Sequence, residues 1–579
     1  MVPRFANLIH EPQRMPMYVD RIKHKNPSGK VYVHYFLRTS RREGKRTIKT
    51  TVLNITPWGE QTCEAIAVAL KHQHNLKDII AQFEVAQAHS DTSTPRVEQG
   101  KSIGSVWLLA QLSQRLGIAD ALGDTQEGRL ALWQVMARTL DQGSRLSAVR
   151  LARTHEIDFL RLGRLDEDVL YENLDWIAEN QTRIENTLFH KHHPNGSCTL
   201  FLYDVTSSYF EGVHNELAAF GYNRDKKKGK MQIVVGLLCD NDGRPVAVEV
   251  FEGNTNDTKT MHNQIRKVAD RFNAENVVFV GDRGMIKSSQ QKELKEENFD
   301  FITALTKPQI ETLIKQSSIQ MSFFDEKIHE VVLENGSRYI LRCNPVRAAE
   351  IAENRKLKQV KLDAIVAERN RYLKEHPKAK TATAVKYCED RVKRLKIEGW
   401  ISVSCEEASR IITLHIDESK LKEISLLDGC YCLTTSLSAE KMSKEDVHSR
   451  YKDLAMVEEA FRTCKTGQLE LRPIYVRKAG RTRAHVFVVM LSYLLVRELQ
   501  DSWRPIDMTV EEGLDLLTTL CTARVNLGDG REYHQIPTMR QDLGMLYAAV
   551  NLEKPRILPG GKTVADSQRK LQSRRKSNK

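Results

Sequence analysis

Thr199-Leu-Phe-Leu-Tyr-Asp204 is an apolar run that ends in an acid. A short apolar run beyond a loop, Pro194-Asn195-Gly196, predicts a buried strand. Downstream, Gln232-Ile-Val-Val-Gly-Leu-Leu-Cys239 and Pro245-Val-Ala-Val-Glu-Val-Phe251 flank Asp240-Asn-Asp-Gly243, a strong hairpin signal. A helix is expected at about 258–273. Asn276-Val-Val-Phe-Val-Gly-Asp282 repeats the pattern of an apolar run closed by an acid. A helix at about 286–298 then leads to a strand, Phe299-Asp-Phe-Ile-Thr-Ala-Leu305. The order β-β-β-α-β-α-β predicts an α/β fold, a mixed sheet with helices on its faces.

Outward from this core, 1–100 reads as a small β-containing module and linker. Val31–Leu37 and Thr47–Leu53 are strand-like about a basic turn, Arg41–Arg46, with a helix at 61–84 and a polar linker at 85–100. Residues 101–197 have helical periodicity. Within them, 132–154 resembles a helix-turn-helix, with Gly143 at the turn and Arg145, Arg150 and Arg153 on the second helix. An ordinary helical hairpin fits the same pattern. Residues 198–305 form the first part of the core, 306–445 an inserted α/β subdomain, and 446–503 the second part of the core. Residues 504–579 read as a helical region and a basic tail.

Lys and Arg number 88 against 75 Asp and Glu, a net charge of +13, which favours a polyanionic partner. Val486–Val496 is the strongest apolar run; a membrane span needs about 20 residues, so it reads as a buried helix. The start carries no signal-like apolar core, and the ten cysteines lack a paired framework; both fit the cytoplasm. His190, His192, His193 and Cys198 straddle a loop with no second Cys pair, a poor zinc pattern. Gly560-Gly-Lys-Thr563 lacks the earlier glycine of a P-loop, so ATP use is not indicated.

Asp204 and Asp282 are read at the carboxyl ends of their strands, where ligands of α/β sheets gather. Charges there are costly unless paired or metal-bound. Each acid alone also fits a simple turn cap. A third comes from Tyr451-Lys-Asp-Leu-Ala-Met-Val-Glu-Glu-Ala-Phe-Arg-Thr-Cys-Lys465. Its spacing sets Tyr451, Leu454, Glu458 and Lys465 along one helix face, with Glu458 and Lys465 about 10 Å apart along the axis. Glu459 is turned about 100° away and reads as a surface partner of Arg462 or Lys452. Three such carboxylates suit two Mg²⁺ about 4 Å apart, with Mn²⁺ as a substitute, for phosphodiester chemistry. Basic segments flank the acids: Arg224 to Lys230, including Lys226, Lys227 and Lys228, and a later group with Arg472, Arg477 and Arg481. Such residues neutralise phosphates.

These motifs resemble the DDE transposases of bacterial insertion sequences, in the broad insertion-sequence-four group. The group's signature is Tyr, two residues, Arg or a substitute, three residues, Glu, six residues, Lys. Tyr451, Glu458 and Lys465 match it, and Leu454 stands where many members carry Arg. Tyr203–Glu211 matches around the first acid, Val280–Met285 around the second, and Phe251–Asp257 between them. The resemblance covers roughly 198–500. It implies an RNase H-like core and catalytic, metal-holding roles for Asp204, Asp282 and Glu458. It also implies DNA contacts from Tyr451, Lys465 and Arg462, and DNA-binding or dimerising roles for 1–100 and 101–197.

The activity so implied is binding of terminal inverted repeats, cleavage at the element ends, and joining of the 3′-hydroxyls to target DNA. The partner is double-stranded DNA, the working form a homodimer in the bacterial nucleoid, with no membrane and no ATP. An RNase H-like nuclease without strand transfer, and a non-catalytic DNA-binding derivative, remain open.

Overall fold

A computed structural model describes residues 17–25, 31–43, 46–71, 96–194, 198–225, 227–272, 277–334, 336–465, 469–471, 476–526, 532–556, 558 and 563–567. The chain forms two compact units. Residues Met1–Gly104, Thr518–Met545 and Lys554–Leu558 make the first. Within it, β1 (Met17–Lys25), β2 (Val31–Glu43) and β3 (Arg46–Asn54) pair antiparallel in that order. Helix α1 (Glu60–Lys71) follows, and Cys63 joins Tyr35 and Ile55 in a small core with Val19, Val33 and Leu37. Arg96–Ser102 is a strand rather than the end of a linker. It pairs antiparallel with Cys521–Asn526, which in turn pairs with Glu532–Gln535. Local periodicity misses these strands because their partners lie more than 400 residues away in the chain, between Ser102 and Cys521. The rest of the expected helix, 72–84, the rest of the expected linker, 85–95, and the basic tail, 568–579, lie outside the described residues.

Ser105–Leu517, Leu546–Glu553 and Pro559–Lys579 make the second unit. Helices α2 (Gln126–Leu140), α3 (Arg145–Thr154) and α4 (Glu167–His192) precede the sheet. The sheet strands are β4 (Leu200–Tyr209), β5 (Gln232–Cys239), β6 (Pro245–Glu252), β7 (Val278–Gly281), β8 (Asp300–Ala304), β9 (His329–Val332), β10 (Arg338–Cys343) and β11 (Cys430–Thr435). Helix α5 (Asp257–Phe272) follows β6, and α6 (Ser288–Glu296) follows β7. The eight strands lie in the order β9-β10-β11-β8-β7-β4-β5-β6. Only β4, β7 and β8 run parallel to one another; the other pairings are antiparallel. This is the large mixed sheet, flanked by helices, that the strand order predicts.

The span 306–445 is not wholly set apart from the core. Its strands β9, β10 and β11 extend the central sheet. What stands off is α7 (Pro345–Glu375), α8 (Thr381–Leu395), the hairpin Ile401–Glu406/Ile411–Ile416 and a helix, Glu418–Ser425. These pack on two small cores of their own, one around Leu362, Trp400 and Ile401, the other around Leu373, Cys388 and Ile412. The insertion leaves the sheet at Cys343 and returns at Cys430, which are cross-strand partners.

Side chains alternate along β4. Phe201, Tyr203 and Val205 enter a core with Met261, Ile265 and Phe272 of α5. Phe272 stacks on Phe189 of α4, with ring centroids 4.1 Å apart and 11° between planes, and Phe201 stacks on Phe279 at 5.9 Å. The opposite face of the sheet is covered by α9 (Lys444–Lys452), α10 (Leu454–Lys465) and α11 (Ala479–Trp503). Val486–Val496 is buried throughout because α11 packs against α2 and α4 as well as β6. No described helix is long and apolar enough to cross a membrane.

Candidate active site

Asp204 does not end its strand: β4 continues to Tyr209, so the acid lies mid-strand. Alternation turns it, with Thr206, away from the Tyr203 face and toward α10. The stretch after it, Val205-Thr-Ser-Ser208, reads locally as a turn, yet it pairs residue by residue with β5. Asp282 does follow directly on β7. The two strands pair in parallel with Tyr203 opposite Gly281, so the next step of the register sets Asp204 beside Asp282. Neighbouring strands lie about 4.8 Å apart.

The helix over this face is built in two parts. Ser443 caps α9 by accepting from the Asp446 N–H at 3.0 Å. At Asp453 the backbone tightens, with its N–H reaching Arg450 O and Met456 N–H reaching Asp453 O, and α10 begins at Leu454. The single helix face expected over 451–465 is therefore broken once. Tyr451 stands in the last turn of α9 and donates its hydroxyl to Asp282 Oδ1 at 3.3 Å. Burial, then the Asp282 carboxylate, pushes that hydroxyl's pKa above its usual value. Leu454 is 7% exposed and packs. Glu458 and Lys465 both line the cleft over the two aspartates; Glu459 does not.

The cleft encloses about 370 Å³ and is lined by Asp204, Thr206, Arg224, Asp225, Asp257, Asp282, Glu458, Phe461, Arg462 and Lys465, among others. Burial, and then the charges of Asp282 and Glu458, push the Asp204 carboxyl up to about 7, against relief from the Val205 N–H and Arg224. Lys465 Nζ donates to Asp225 Oδ1 at 2.7 Å and to Thr206 Oγ1 at 3.1 Å. Arg224 Nη2 donates to both carboxylate oxygens of Asp257, each at 2.7 Å. Sequence reading missed Asp225 and Asp257. The signal available was an acid beside each basic or family-like segment, but only the fold shows that both acids face the cleft.

The donor chemistry fits a hard divalent cation: the three carboxylates offer oxygen only, and burial, then the charges of Asp282 and Glu458, disfavours the ionised Asp204 that a cation would favour. As positioned, however, no three His, Cys, Asp or Glu side chains among the described residues form a ready set for one metal ion.

Other residues singled out above are placed as follows. Lys226 and Arg472 lie outside the described residues. Lys227 and Lys228 are exposed, with Lys227 Nζ 5.8 Å from the Tyr209 ring centroid. Arg462 and Arg477 are exposed. Arg481 is engaged by Asp175 in a bidentate pair, the closest contact 2.7 Å. In the helix-turn-helix-like segment, Arg145 points inward: it is 5% exposed and donates to His485 Nδ1 at 2.9 Å. Arg153 donates to the carbonyls of Ala565 and Ser567. His193 pairs with buried Asp240 at 3.0 Å.

Residues 197–495 match a family model described as a transposase DDE domain. No curated protein matches the chain. Among solved structures, the chain is similar to a piggyBac transposase synaptic complex with hairpin DNA, at 9% identity and a TM-score of 0.31, over 77% of this chain and 75% of that one.

Proposed function

The chain belongs to the transposase DDE domain family, and from that premise we propose that it binds the terminal inverted repeats of its own mobile element, cleaves the DNA at the element ends and joins the 3′-hydroxyls to target DNA. The observation that carries this reading is the parallel register that sets Asp204 beside Asp282, with Glu458 lining the same cleft. Asp204, Asp282 and Glu458 would hold two Mg²⁺, or Mn²⁺ in their place. Bound there, such ions supply Lewis-acid stabilisation of the phosphodiester and a water of lowered pKa. Tyr451 orients Asp282 through its hydroxyl. Lys465, aligned by Asp225 and Thr206, neutralises a backbone phosphate, and Arg462 does the same at the cleft edge. Lys227, Lys228 and Arg477 add salt-dependent affinity. Arg481, held by Asp175 as Lys465 is by Asp225, joins that set.

On the Tyr451–Glu458–Lys465 spacing we read the chain as a member of the insertion-sequence-four group with an RNase H-like core. It acts as a homodimer on paired ends in a bacterial nucleoid, without ATP. The test is cleavage of end-containing duplex with Mg²⁺ by Asp204→Ala, Asp282→Ala and Glu458→Ala. Each should lose activity, and near wild-type cleavage in any of them removes that acid from the site. Pre-cut ends then separate a transposase, which yields joined product, from a nuclease, which does not. A monomer by light scattering on paired ends would contradict the homodimer.

A further inference from the structure

Among the described residues, the sheet β1–β3 is covered on one side only. Val19, Val33, Tyr35 and Leu37 face the small core with Ile55 and Cys63. Arg21, of the same parity, reaches Glu60 of α1 at 2.8 Å. Alternation therefore assigns the other parity to the open side. The register lines up its rows: Asp20 with Phe36, Ile22 with His34 and His24 with Tyr32, then Arg38 with Thr51, Ser40 with Lys49 and Arg42 with Thr47.

A sheet face turned to water is ordinarily polar. This one carries aromatic rings interleaved with cations. Tyr32 is 44% exposed and Ile22 38%. The His34 and Phe36 rings stack, with centroids 6.3 Å apart, and the Arg38 guanidinium lies 5.3 Å from the Phe36 ring. Arg38 is held by Asp20 at 2.6 Å and donates to Thr51 at 3.1 Å. Lys49 Nζ lies 5.8 Å from the Tyr18 ring and 3.9 Å from Asp20. These contacts hold the donors in place before anything binds. Among the described side chains, Asp20 is the acid of this face, and its charge is offset by Arg38 and Lys49.

We propose that this open face enters the major groove of duplex DNA and reads base pairs there. The proposal rests on the reading of the chain as a DNA-acting transposase, and adds which surface recognises sequence. Charge is complementary: Arg38, Arg42 and Lys49 meet a polyanion. Dimensions agree as well. The major groove, about 12 Å wide, admits a two-stranded β-ribbon, and β2 with β3, about 4.8 Å apart, makes such a ribbon. Hydroxyls and cationic donors on the central and third strands are the groups that discriminate base edges, and the apolar ring atoms suit thymine methyls.

The experiment is binding by the full-length chain without divalent cation, so that cleavage does not enter. A duplex library with a random core is selected for binding, and affinity for the winning duplex is compared with a scrambled duplex of the same length. Tyr32→Ala/His34→Ala/Arg42→Ala should lower that preference about tenfold or more. Arg42→Glu, a single change at an exposed position, should do so without any threat to folding. Lys23→Ala/Lys25→Ala, on the α1 side, should weaken both duplexes alike and keep the ratio. An unchanged ratio in Arg42→Glu and the triple variant overturns the proposal. So does loss of the ratio in the α1-side variant, absence of any selected duplex, or equal dependence on this face for single-stranded DNA. None of these outcomes touches cleavage or joining of pre-cut ends by the acids, which test the catalytic reading separately.

Discussion

At the residue scale, Asp204 is a carboxyl placed against its own stability. Its folded pKa of about 7 lies above the ordinary 3.8, so the folded state prefers the proton. The stabilising contribution is present at low pH and is lost as pH rises from about 4 through about 7. Asp204→Asn should therefore melt a few degrees higher than wild type at pH 8 without divalent cation, while end cleavage falls roughly a hundredfold or more. Mg²⁺ or Mn²⁺ should raise the wild-type melting point and leave the variant's unmoved. Equal shifts in both proteins would remove Asp204 from the metal-holding set. Tyr451→Phe keeps the ring and loses the bond to Asp282; cleavage should drop by about two- to tenfold, the worth of one such bond, with melting nearly unchanged. Glu458 was distinguishable from Glu459 by spacing alone. Asp225 and Asp257 were not, because nothing local marks an acid whose partner, Lys465 or Arg224, is set opposite it by the fold.

At the element scale, α9 and α10 depend on what they rest against. Gly243, in the β5–β6 hairpin, has φ +72°, and a Cβ there would come 2.6 Å from the side chain of Met456, two residues before Glu458 on its helix. Gly243→Ala should cost about 1–2 kcal/mol in backbone strain alone and also reduce cleavage by displacing α10. Adding Met456→Ala should restore part of the activity but not the strain, a coupling that a double-mutant cycle reads directly. On α9, burial and then the Lys452 and Arg342 charges hold His448 down at about 4. The unfolded chain takes up this proton below its ordinary 6.5 and the folded chain does not. That stability is present above pH 6.5 and lost as pH falls toward 4. Thermal melts across this window should show the fall in wild type, and His448→Gln should lose up to about 3 kcal/mol of it. The helix itself was legible from its periodicity. Its break at Asp453 was not, since Asp453 stays in the α region and only its hydrogen-bond partners change.

At the scale of the whole molecule, the central sheet carries the insertion at a narrow neck. Because Cys343 and Cys430 are cross-strand partners, and α7 and α8 pack on cores of their own, replacing residues 345–425 with a short Gly-Ser linker should leave a cooperatively melting protein. A broad, non-cooperative melt would show that the sheet needs the insertion. Phe272→Ala removes the ring stacked between α4 and α5 and should cost about 3–5 kcal/mol. Apolar periodicity and hairpin chemistry made the run from β4 to β8 readable, because each of those strands carries its burial pattern within its own few residues. The acid-bearing segments and the Tyr451–Glu458–Lys465 spacing were readable for the same reason. Tertiary structure alone decided that β9–β11 complete the central sheet and that Arg96–Ser102 pairs with Cys521–Asn526. It also decided that Asp204 lies mid-strand beside Asp282. Backbone pairing between distant segments leaves no mark on local periodicity, so the sequence singled out the candidate acids while the register of strands settled where they meet.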